Sequence, residues 1–369
     1  MDQDKIGVGI IGIEPGRSWA AVAHLPALRA LPEYEVRAVA TRRRESAEAA
    51  ASAFGIPLAF ANPAELIADP RVDLVAVCVK VPHHHELVSA ALAAGKHVYC
   101  EWPLGNGLDE AVAMAEQARQ TGIACCVGLQ ARMAPVVDYV RTLVADGFVG
   151  DVLSTTLVGS GMQWADRVDA PNAYIVDKAN GATMLTIPMG HTLDALCHCL
   201  GEFKWLSAVG AIRQPTVTRI DTGETLAKTA EDQIVVAGEL GSGAIASVHY
   251  RGGNSRGVKL LWEINGTEGD LQLTAEGGHA QIFELSLSGA RGDDRALRPI
   301  TVPAAHRWAP ETLVGPAVNV GQMYARFATD LRGGTRLCPD FDHAVRRHRM
   351  VTAIDKACRT GERVRLEDV

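Results

Sequence analysis

His191 and Asp194 are the side chains whose spacing best suits proton transfer. They lie three residues apart within 181–200, a stretch whose pattern predicts a long helix, so both project from one helix face. Histidine changes charge near neutral pH, and a neighbouring carboxylate can orient its ring. A structural role, in which the Asp194 carboxylate only holds a loop, fits the sequence equally well.

The second chemical feature is a glycine-containing turn at 12–18. It follows an apolar run at 6–11 that indicates a strand buried on both faces, and it precedes an Ala- and Leu-rich stretch at 18–31 that predicts a helix. Free N–H groups at a helix N-terminus attract phosphate, so the turn predicts a dinucleotide site. An ordinary strand-to-helix turn is the alternative, because the first two glycines of the G-x-G-x-x-G spacing fall inside the strand. The predicted contacts are Gly12, Ile13, Gly16, Arg17, Ser18 and Trp19.

Thr41 and Arg42 follow the strand expected at 34–40. A carboxylate at this place would hydrogen-bond the ribose 2′-hydroxyl of NAD, whereas a hydroxyl and arginines suit the 2′-phosphate of NADP. Because no acid is present, the sequence favours NADP, with NAD possible. Surface charge on a solvated helix is the alternative for the arginines at 42–44.

Two further strand ends carry candidate ligand contacts, because ligands gather at the carboxyl ends of parallel strands. The strand at 72–79 ends at Val79 and is followed by Lys80, Pro82 and His85. The strand at 97–100 is followed by Glu101, Trp102 and Pro103. The Lys80 ammonium could contact the nicotinamide ribose or a substrate hydroxyl, although a solvated lysine is equally consistent. The bond between Trp102 and Pro103 is a candidate for cis geometry.

No metal site is expected. A helix that starts near Pro82 would direct the three adjacent histidines at 83–85 away from each other. The eight cysteines show no paired C-x-x-C spacing, so we interpret them as buried, reduced thiols.

Strands and helices alternate over the first third of the chain. This pattern predicts a doubly wound parallel (Rossmann) sheet in a dinucleotide-binding domain at 1–130, and therefore an α/β fold. The expected strands are 5–11, 34–40, 72–79, 97–100 and 123–127, and the expected helices are about 18–31, 45–54, 84–94 and 108–121.

The remaining residues, 131–369, predict an α+β domain for substrate binding and oligomerisation. Strand follows strand without intervening helices, which indicates a large, mostly antiparallel open sheet. We expect helices at 131–145 and 181–200, and strands at 151–159, 206–212, 233–240, 244–250, 258–264 and 280–287. The last helices, at about 320–359, are expected to pack back on the first domain.

Composition restricts the classes of function. The 369 residues are 47% apolar and 21% charged, which is typical of a two-domain globular enzyme. A net charge of −7 without a basic run argues against nucleic acid as a partner. Neither a membrane-spanning run nor a signal peptide is evident, so we expect a cytoplasmic protein with no membrane partner.

Several blocks of sequence resemble the Gfo/Idh/MocA oxidoreductase family. They are Pro82-x-x-His85 and the run at 94–101 with Pro103, although Trp102 replaces the lysine of the family's Glu-Lys-Pro tripeptide. The closer resemblance is to the Gal80-like branch, which takes its name from the galactose regulon regulator of yeasts. It is carried by the blocks at 16–19, 79–82, 101–102, 129–135, 190–194 and 266–271.

This resemblance implies hydride transfer between a nicotinamide and a sugar or cyclitol carbon, with a lysine and a histidine serving the hydroxyl proton. His191 matches the histidine, but Trp102 and Ile187 replace the lysine and a frequent aspartate. The groups that could substitute are Lys80, Tyr174 and Asp194. The resemblance also implies a homodimer or homotetramer, because the family covers part of such a sheet with a second subunit.

Aromatic and polar groups complete the predicted site. Trp164, in the stretch 161–167, and Tyr174 could bind a sugar ring, although a structured surface loop is the alternative. Arg132 could meet a ligand carboxylate or close an interdomain salt bridge. Trp102 would form a flat wall against nicotinamide or substrate, and Gln130 in the 129–135 block is assigned to the cofactor.

Two functions stay open from the sequence. The first is an NAD(P)-dependent oxidoreductase that acts on a sugar or another polyhydroxylated small molecule through His191. The second is a catalytically idle sensor that binds dinucleotide and acts through protein contacts. The retained histidine and the intact cofactor domain favour the enzyme, whereas the loss of two acid–base groups favours the sensor.

Overall fold

The computed structural model describes residues 5–16 and 18–369. Its contacts divide the chain into two units, which we describe separately. The first consists of Met1–Gln130 and Arg307–Arg346, and the second consists of Ala131–His306 and Arg347–Val369.

The first unit contains a six-stranded parallel sheet with the strand order β3-β2-β1-β4-β5-β6. This order is that of a doubly wound Rossmann sheet, so the predicted fold of this part is confirmed. The sequence interpretation missed β3 because it is only three residues long and half-buried. The strands are β1 (Ile6–Ile11), β2 (Tyr34–Ala40), β3 (Leu58–Phe60), β4 (Leu74–Val77), β5 (His97–Glu101) and β6 (Cys125–Gly128).

Nine α-helices lie in the described residues. The expected helix at 18–31 begins as a π-helical turn, Ala20–His24, and the expected helix at 181–200 likewise contains a π-helical turn, Leu185–Met189. Such turns occur frequently at functional sites. The α-helices are α1 (Leu25–Ala30), α2 (Arg44–Phe54), α3 (Pro63–Ala68), α4 (His84–Ala93), α5 (Leu108–Thr121), α6 (Pro135–Ala145), α7 (Gly190–Leu200), α8 (Ala317–Gly333) and α9 (Phe341–Thr360).

The second unit contains a nine-stranded sheet with the order β17-β16-β15-β14-β7-β13-β12-β9-β18. Only the pair β7 and β13 is parallel in this sheet as described, which confirms the mostly antiparallel prediction. A small sheet, β11-β10-β8, accompanies it. The strands are β7 (Val152–Gly161), β8 (Arg167–Val168), β9 (Phe203–Ala211), β10 (Thr216–Arg219), β11 (Thr225–Ala227), β12 (Gln233–Leu240), β13 (Ile245–Gly252), β14 (Leu260–Gly266), β15 (Gly269–Ala275), β16 (Leu285–Arg291), β17 (Arg298–Pro299) and β18 (Val364–Arg365).

The strand expected at 280–287 is wrong in its position, because β16 starts at Leu285. The preceding loop packs tightly instead of extending. A Cβ on Gly278 would lie 1.7 Å from the Ser160 carbonyl oxygen, so only glycine permits this close approach.

No helix of the described part combines the length and the apolar character needed to cross a membrane. Within the same residues, no three His, Cys, Asp or Glu side chains converge on a point where a metal ion could bind. All eight cysteines are free thiols.

Candidate active site

The turn after β1 is closed on itself by a serine. Ser18 Oγ accepts a hydrogen bond from the Glu14 N–H (2.8 Å) and donates one to the Glu14 carbonyl (2.9 Å). The π-helical turn Ala20–His24 follows, so its first N–H groups face this loop. Ile13 is buried, whereas Arg17, which the sequence assigned to the cofactor, lies outside the described residues.

Gly12 fixes the start of this turn. Its φ is +95°, and a Cβ there would lie 2.6 Å from both the Cys78 carbonyl oxygen and Val79 Cγ1. Gly16 also has a positive φ, +87°, but a Cβ there would meet nothing within 4 Å. Of these two glycines, only Gly12 therefore lies where its backbone passes close to the residues that follow β4.

Replacing Gly12 by alanine is expected to abolish tight coenzyme binding, because the loop must move away from Cys78 and Val79. Gly16→Ala is the matched control, since it shares the backbone strain of about 1–2 kcal/mol without the steric overlap. Titration calorimetry with NAD and NADP measures the difference. Equal loss of affinity in the two variants would contradict the assignment of the close approach at Gly12.

Glu101, at the end of β5, is held by a buried hydrogen-bond network. Its Oε1 lies 2.9 Å from His24 Nε2, and both of its carboxylate oxygens accept from Gln130 Nε2, Oε2 at 3.1 Å and Oε1 at 3.3 Å. His24 Nδ1 lies 2.8 Å from the Tyr324 hydroxyl. Donation from His24 Nε2 to Glu101 together with donation from the Tyr324 hydroxyl to Nδ1 satisfies both contacts. The carboxylate is thereby fixed in orientation.

Five buried side-chain polar atoms of this unit lack a hydrogen-bond partner among the described residues, and two of them lie beside the predicted dinucleotide site. These two are the indole N–H of Trp19, beside the turn, and the amide oxygen of Gln130, whose nitrogen holds Glu101. Buried polar groups are ordinarily paired, so each one indicates a place for a ligand atom. A donor beside a phosphate loop and an acceptor at a strand's carboxyl end both fit a bound dinucleotide.

The residues after β2 present arginine to solvent. Arg42 and Arg43 are exposed, whereas Arg44 lies 3.5 Å from Glu48 on α2. The Thr41 hydroxyl lies 2.6 Å from the Ser46 hydroxyl and donates to the Arg43 carbonyl. Arg42 therefore remains available to a ligand at the edge of the sheet.

The residues after β4 differ in exposure. Lys80, Pro82 and His85 are exposed, and His84 is buried with its ring nitrogens 2.9 Å from the Pro103 carbonyl and 3.0 Å from the Val79 carbonyl. Burial lowers the pKa of His84, so the neutral ring donates to one of these carbonyls only. The three adjacent histidines thus face different surroundings, as the helix start predicts.

Trp102 and Pro103 follow β5 and are both buried, and Trp102 is 4% exposed. The bond between them is cis, which confirms the prediction. The tripeptide that begins at Glu101 is therefore a rigid, enclosed part of the strand end.

In the second unit, His191 lies in the first turn of α7, directly after the π-helical turn. It is 3% exposed. The next residue, Thr192, donates to the Pro188 carbonyl (2.8 Å), and its Oγ1 lies 2.5 Å from the Tyr250 hydroxyl. These contacts fix the helix start that carries His191 and connect it to β13.

Asp194 lies in a chain of ion pairs. Its carboxylate is fully buried, 3.0 Å from Arg132 Nε and 3.5 Å from Arg347 Nε. Arg347 is also paired with Glu202. This environment supports the structural interpretation of Asp194 that the sequence left open, and it places Arg132 beside a carboxylate of the chain itself.

The other predicted sugar contacts are partly or wholly buried. Trp164 is 3% exposed and donates its indole N–H to the Ile175 carbonyl (3.2 Å). Tyr174 is half-buried, and burial raises its pKa, which makes it a poorer proton donor near neutral pH. The indole N–H of Trp164 is therefore not available as a hydrogen-bond donor to a ligand.

His279 is a residue that sequence reasoning missed. It stacks on Trp164, with ring centroids 6.3 Å apart, and its Nε2 accepts from the Met162 N–H (3.2 Å). Burial, together with the nearby His191, lowers the pKa of His279 to about 3, so its ring is neutral. The one sequence signal for this position is the adjacent glycine pair, Gly277 and Gly278, which marks a close approach of the backbone.

Comparisons with known proteins give two family matches. Residues 6–129 match the oxidoreductase family with an NAD-binding Rossmann fold (GFO_IDH_MocA), and residues 135–275 match the Gal80p C-terminal domain. The chain is 31% identical over 375 residues to dehydrogenase aclE of Aspergillus oryzae, which covers 97% of each chain. It is 27% identical over 334 residues to levoglucosan dehydrogenase of Pseudarthrobacter phenanthrenivorans, which covers 86% of this chain and 84% of that one. Its fold is that of a super-repressor mutant of Gal80p from Saccharomyces cerevisiae, with a TM-score of 0.89, 22% identity, and 99% and 98% of the two chains covered.

Proposed function

The chain belongs to the Gfo/Idh/MocA oxidoreductase family, in its Gal80-like branch, and we propose that it transfers a hydride between NADP and a sugar or related polyol. His191 is the proton carrier of this reaction. The proposal is supported most directly by the buried, unsatisfied atoms of Trp19 and Gln130, which fit a dinucleotide.

Each part of the chain has a defined task in this reaction. When bound, the coenzyme supplies the hydride acceptor or donor at C4 of its nicotinamide. The Trp19 N–H donates to a phosphate oxygen, and Glu101, fixed by His24 and Gln130, accepts from a ribose hydroxyl. His191 takes up or returns the substrate's hydroxyl proton. Its burial keeps bulk water away from that proton.

The loss of the family lysine changes the proton chemistry without removing it. The indole of Trp102 can only donate a hydrogen bond and cannot take up a proton. A missing acid–base group typically costs about 10²- to 10⁴-fold in rate, so turnover with His191 alone stays measurable. Lys80, which is exposed, is the group we propose as a second proton carrier.

A sugar or polyol is the substrate class that these residues suit. The half-buried Tyr174 provides an aromatic ring against which a pyranose can pack. Levoglucosan dehydrogenase, to which the chain is similar along most of its length, is named for such a substrate. The substrate panel should therefore include levoglucosan, aldoses, ketoses and cyclitols.

Turnover with this panel tests the proposal. The purified protein is incubated with NAD or NADP and each compound, and the absorbance of reduced nicotinamide is followed. We expect reduction with at least one compound. Tight coenzyme binding without turnover of any compound would contradict the enzyme and support the catalytically idle regulator, which the replacement of lysine by Trp102 favours.

NADP preference predicts a role for Arg42. Arg42→Ala is expected to weaken NADP binding by about 10-fold while NAD binding is unchanged, because a charge-assisted bond to the 2′-phosphate contributes about 1.5–3 kcal/mol. Arg44→Ala is the control, since Arg44 is paired with Glu48. Calorimetric titration with both coenzymes measures the effect. Tighter binding of NAD than NADP by the unaltered protein would overturn the preference.

We propose that a second copy of the chain covers the open face of the nine-stranded sheet, which gives a homodimer or homotetramer. Val235 on β12 lies opposite Val209 on one neighbouring strand and opposite His249 on the other. Val209 is 69% exposed, Val235 39% and Ile245 52%. Along their strands these side chains alternate with buried core residues, so they lie on the outer face of the sheet. A row of exposed apolar side chains of this kind favours a protein interface.

Val235→Glu is expected to convert the oligomer to monomer, because it buries a carboxylate without a partner at the centre of this face. Sedimentation velocity measures the change, and circular dichroism checks the fold. Val314→Glu is the control, because Val314 is 76% exposed and lies outside the sheet. An unaltered protein that sediments as a monomer would contradict the proposal.

A further inference from the structure

Trp164 has an unusual backbone conformation. Among the described residues it is the one non-glycine residue with a positive φ, +56°. A bulky residue in this region costs of order 1–3 kcal/mol and persists only when its surroundings fix it. Strain of this kind concentrates at ligand sites, so what holds Trp164 in place bears on function.

Lys228 holds the strained backbone. Its ammonium lies 3.2 Å from the Trp164 carbonyl oxygen, 3.3 Å from the Ala165 carbonyl oxygen and 2.8 Å from Asp232 Oδ2. The three contacts use all three donors of the ammonium. The side chain of Lys228 is 0% exposed and that of Asp232 is 2% exposed. A fully buried lysine that points at two consecutive carbonyls is a dedicated anchor for this turn.

Asp232 completes the anchor. Its carboxylate accepts from the N–H groups of Arg213 and Gln214, each at 2.9 Å. Burial raises the pKa of Asp232, but the hydrogen bonds from the Lys228 ammonium and from these two backbone N–H groups outweigh it, so the pKa is lowered from its usual value. The Asp232 carboxylate is therefore held in its charged form beside the Lys228 ammonium.

The anchored tryptophan in turn has a fixed ring. The indole N–H is used by the Ile175 carbonyl, and a Cβ on Gly161 would lie 3.0 Å from the ring. The His279 ring stacks on the indole ring of Trp164, and its Nε2 accepts a hydrogen bond from the Met162 N–H. The Tyr250 hydroxyl lies 2.5 Å from Thr192 Oγ1, next to His191, and 3.0 Å from the Gly278 carbonyl oxygen, next to His279. A continuous set of contacts thus runs from Lys228 through Trp164 and His279 to the surroundings of His191.

We propose that Lys228 is a positioning residue that fixes the Trp164–His279 wall of the ligand site containing His191. Trp164 and His279 are only 3% and 5% exposed, so the wall is a rigid, uncharged support behind the site of a polyhydroxylated ligand, and Lys228 acts on the ligand only through it. This inference rests on the proposed function for the ligand class. It adds Lys228 and His279 to the candidate site, and neither residue was indicated by the glycine-containing turn at 12–18 or by the helix pattern at 181–200.

Two variants of the anchor separate positioning from stability. Lys228→Met leaves Asp232 buried without its cation, which destabilises the second unit. The double variant Lys228→Met/Asp232→Asn removes that lone charge, so it regains stability but still lacks the anchor. Lys178→Met is the control, because Lys178 is an ion-paired lysine elsewhere in the same unit, 2.7 Å from Glu231 and 2.5 Å from Asp355.

The test combines kinetics with hydrogen exchange measured by mass spectrometry. In the double variant we expect KM for the best compound of the substrate panel to rise about 10-fold with little change in kcat, because the wall is misplaced while His191 is unaltered. We also expect faster exchange of the amides at 162–167. The control variant should change neither quantity. A double variant with the KM and the exchange of the unaltered protein would show a purely structural pair and overturn the inference.

Exchange in the presence of NADP with D-glucose or myo-inositol distinguishes the two claims. We expect either probe to slow exchange at 162–167 and 277–283 in the unaltered protein and not in the double variant. Protection without turnover of any compound would overturn the enzyme and leave the wall in place. Turnover without protection of these peptides by the substrate would overturn the wall and leave the enzyme in place.

Discussion

Replacing His191 by alanine is expected to lower kcat by about 10²- to 10⁴-fold, because no other group can replace it as the proton carrier with its full effect. Coenzyme affinity should be unchanged, since the residues proposed to contact the dinucleotide belong to the other unit. The measurement is the steady-state rate of nicotinamide reduction, accompanied by calorimetric titration with NADP.

His198→Ala is the matched control for this prediction. His198 lies on the same helix, α7, and is half-buried, so its replacement tests the general sensitivity of the helix to loss of an imidazole. We expect it to retain most of kcat. Equal losses in the two variants, or a fully active His191→Ala protein, would contradict the role of His191.

Replacing Asp194 by alanine is expected to lower the free energy of unfolding by about 3–5 kcal/mol, because it leaves Arg132 and Arg347 buried without their shared carboxylate. This effect is a large fraction of the stability of a typical domain. The measurement is urea-induced unfolding followed by circular dichroism, with the transition of the second unit analysed separately.

Asp221→Ala provides the comparison. Asp221 pairs with Arg219 near the surface, where their side chains are 44% and 26% exposed, so its loss should cost less than about 1 kcal/mol. If Asp194→Ala is as stable as Asp221→Ala but inactive, Asp194 has a chemical role and not the structural one that its ion pairs indicate.

The nucleotide-binding half of the fold could be predicted from sequence because its signals are local. Each buried parallel strand is a continuous apolar run, and polar residues follow it at the edge where ligands bind. The turn at 12–18 and the Trp102–Pro103 bond are local features of the same kind. The short strand β3 has no such run and was therefore missed.

The second unit could be predicted only in outline. The spacing of His191 and Asp194 placed both on one helix face and suggested that they pair. The ion pairs of Asp194 with Arg132 and Arg347 instead form between elements far apart in the chain. Sequence spacing cannot indicate such partners. A polar side chain on a helix has several possible neighbours, and tertiary packing decides among them.

His279 and Lys228 show the same limit at the site itself. Neither belongs to a motif or a periodic pattern, and His279 directly precedes the stretch 280–287 that the sequence indicated as a strand. The chain at 276–284 packs against the end of β7 through Gly278, which breaks the alternation that a strand requires. The contacts that give these residues a function exist only in the folded protein.

The most direct measurement of the central claim is the transfer of deuterium from a substrate deuterated at its hydroxyl-bearing carbons to the nicotinamide. The substrate is the compound of the panel that is turned over fastest, and the reduced coenzyme is analysed by mass spectrometry and NMR. The account predicts deuterium at C4 of the reduced nicotinamide in the unaltered protein, and the same label formed about 10²- to 10⁴-fold more slowly in His191→Ala. Reduced coenzyme without deuterium, or bound coenzyme that is never reduced, would contradict it.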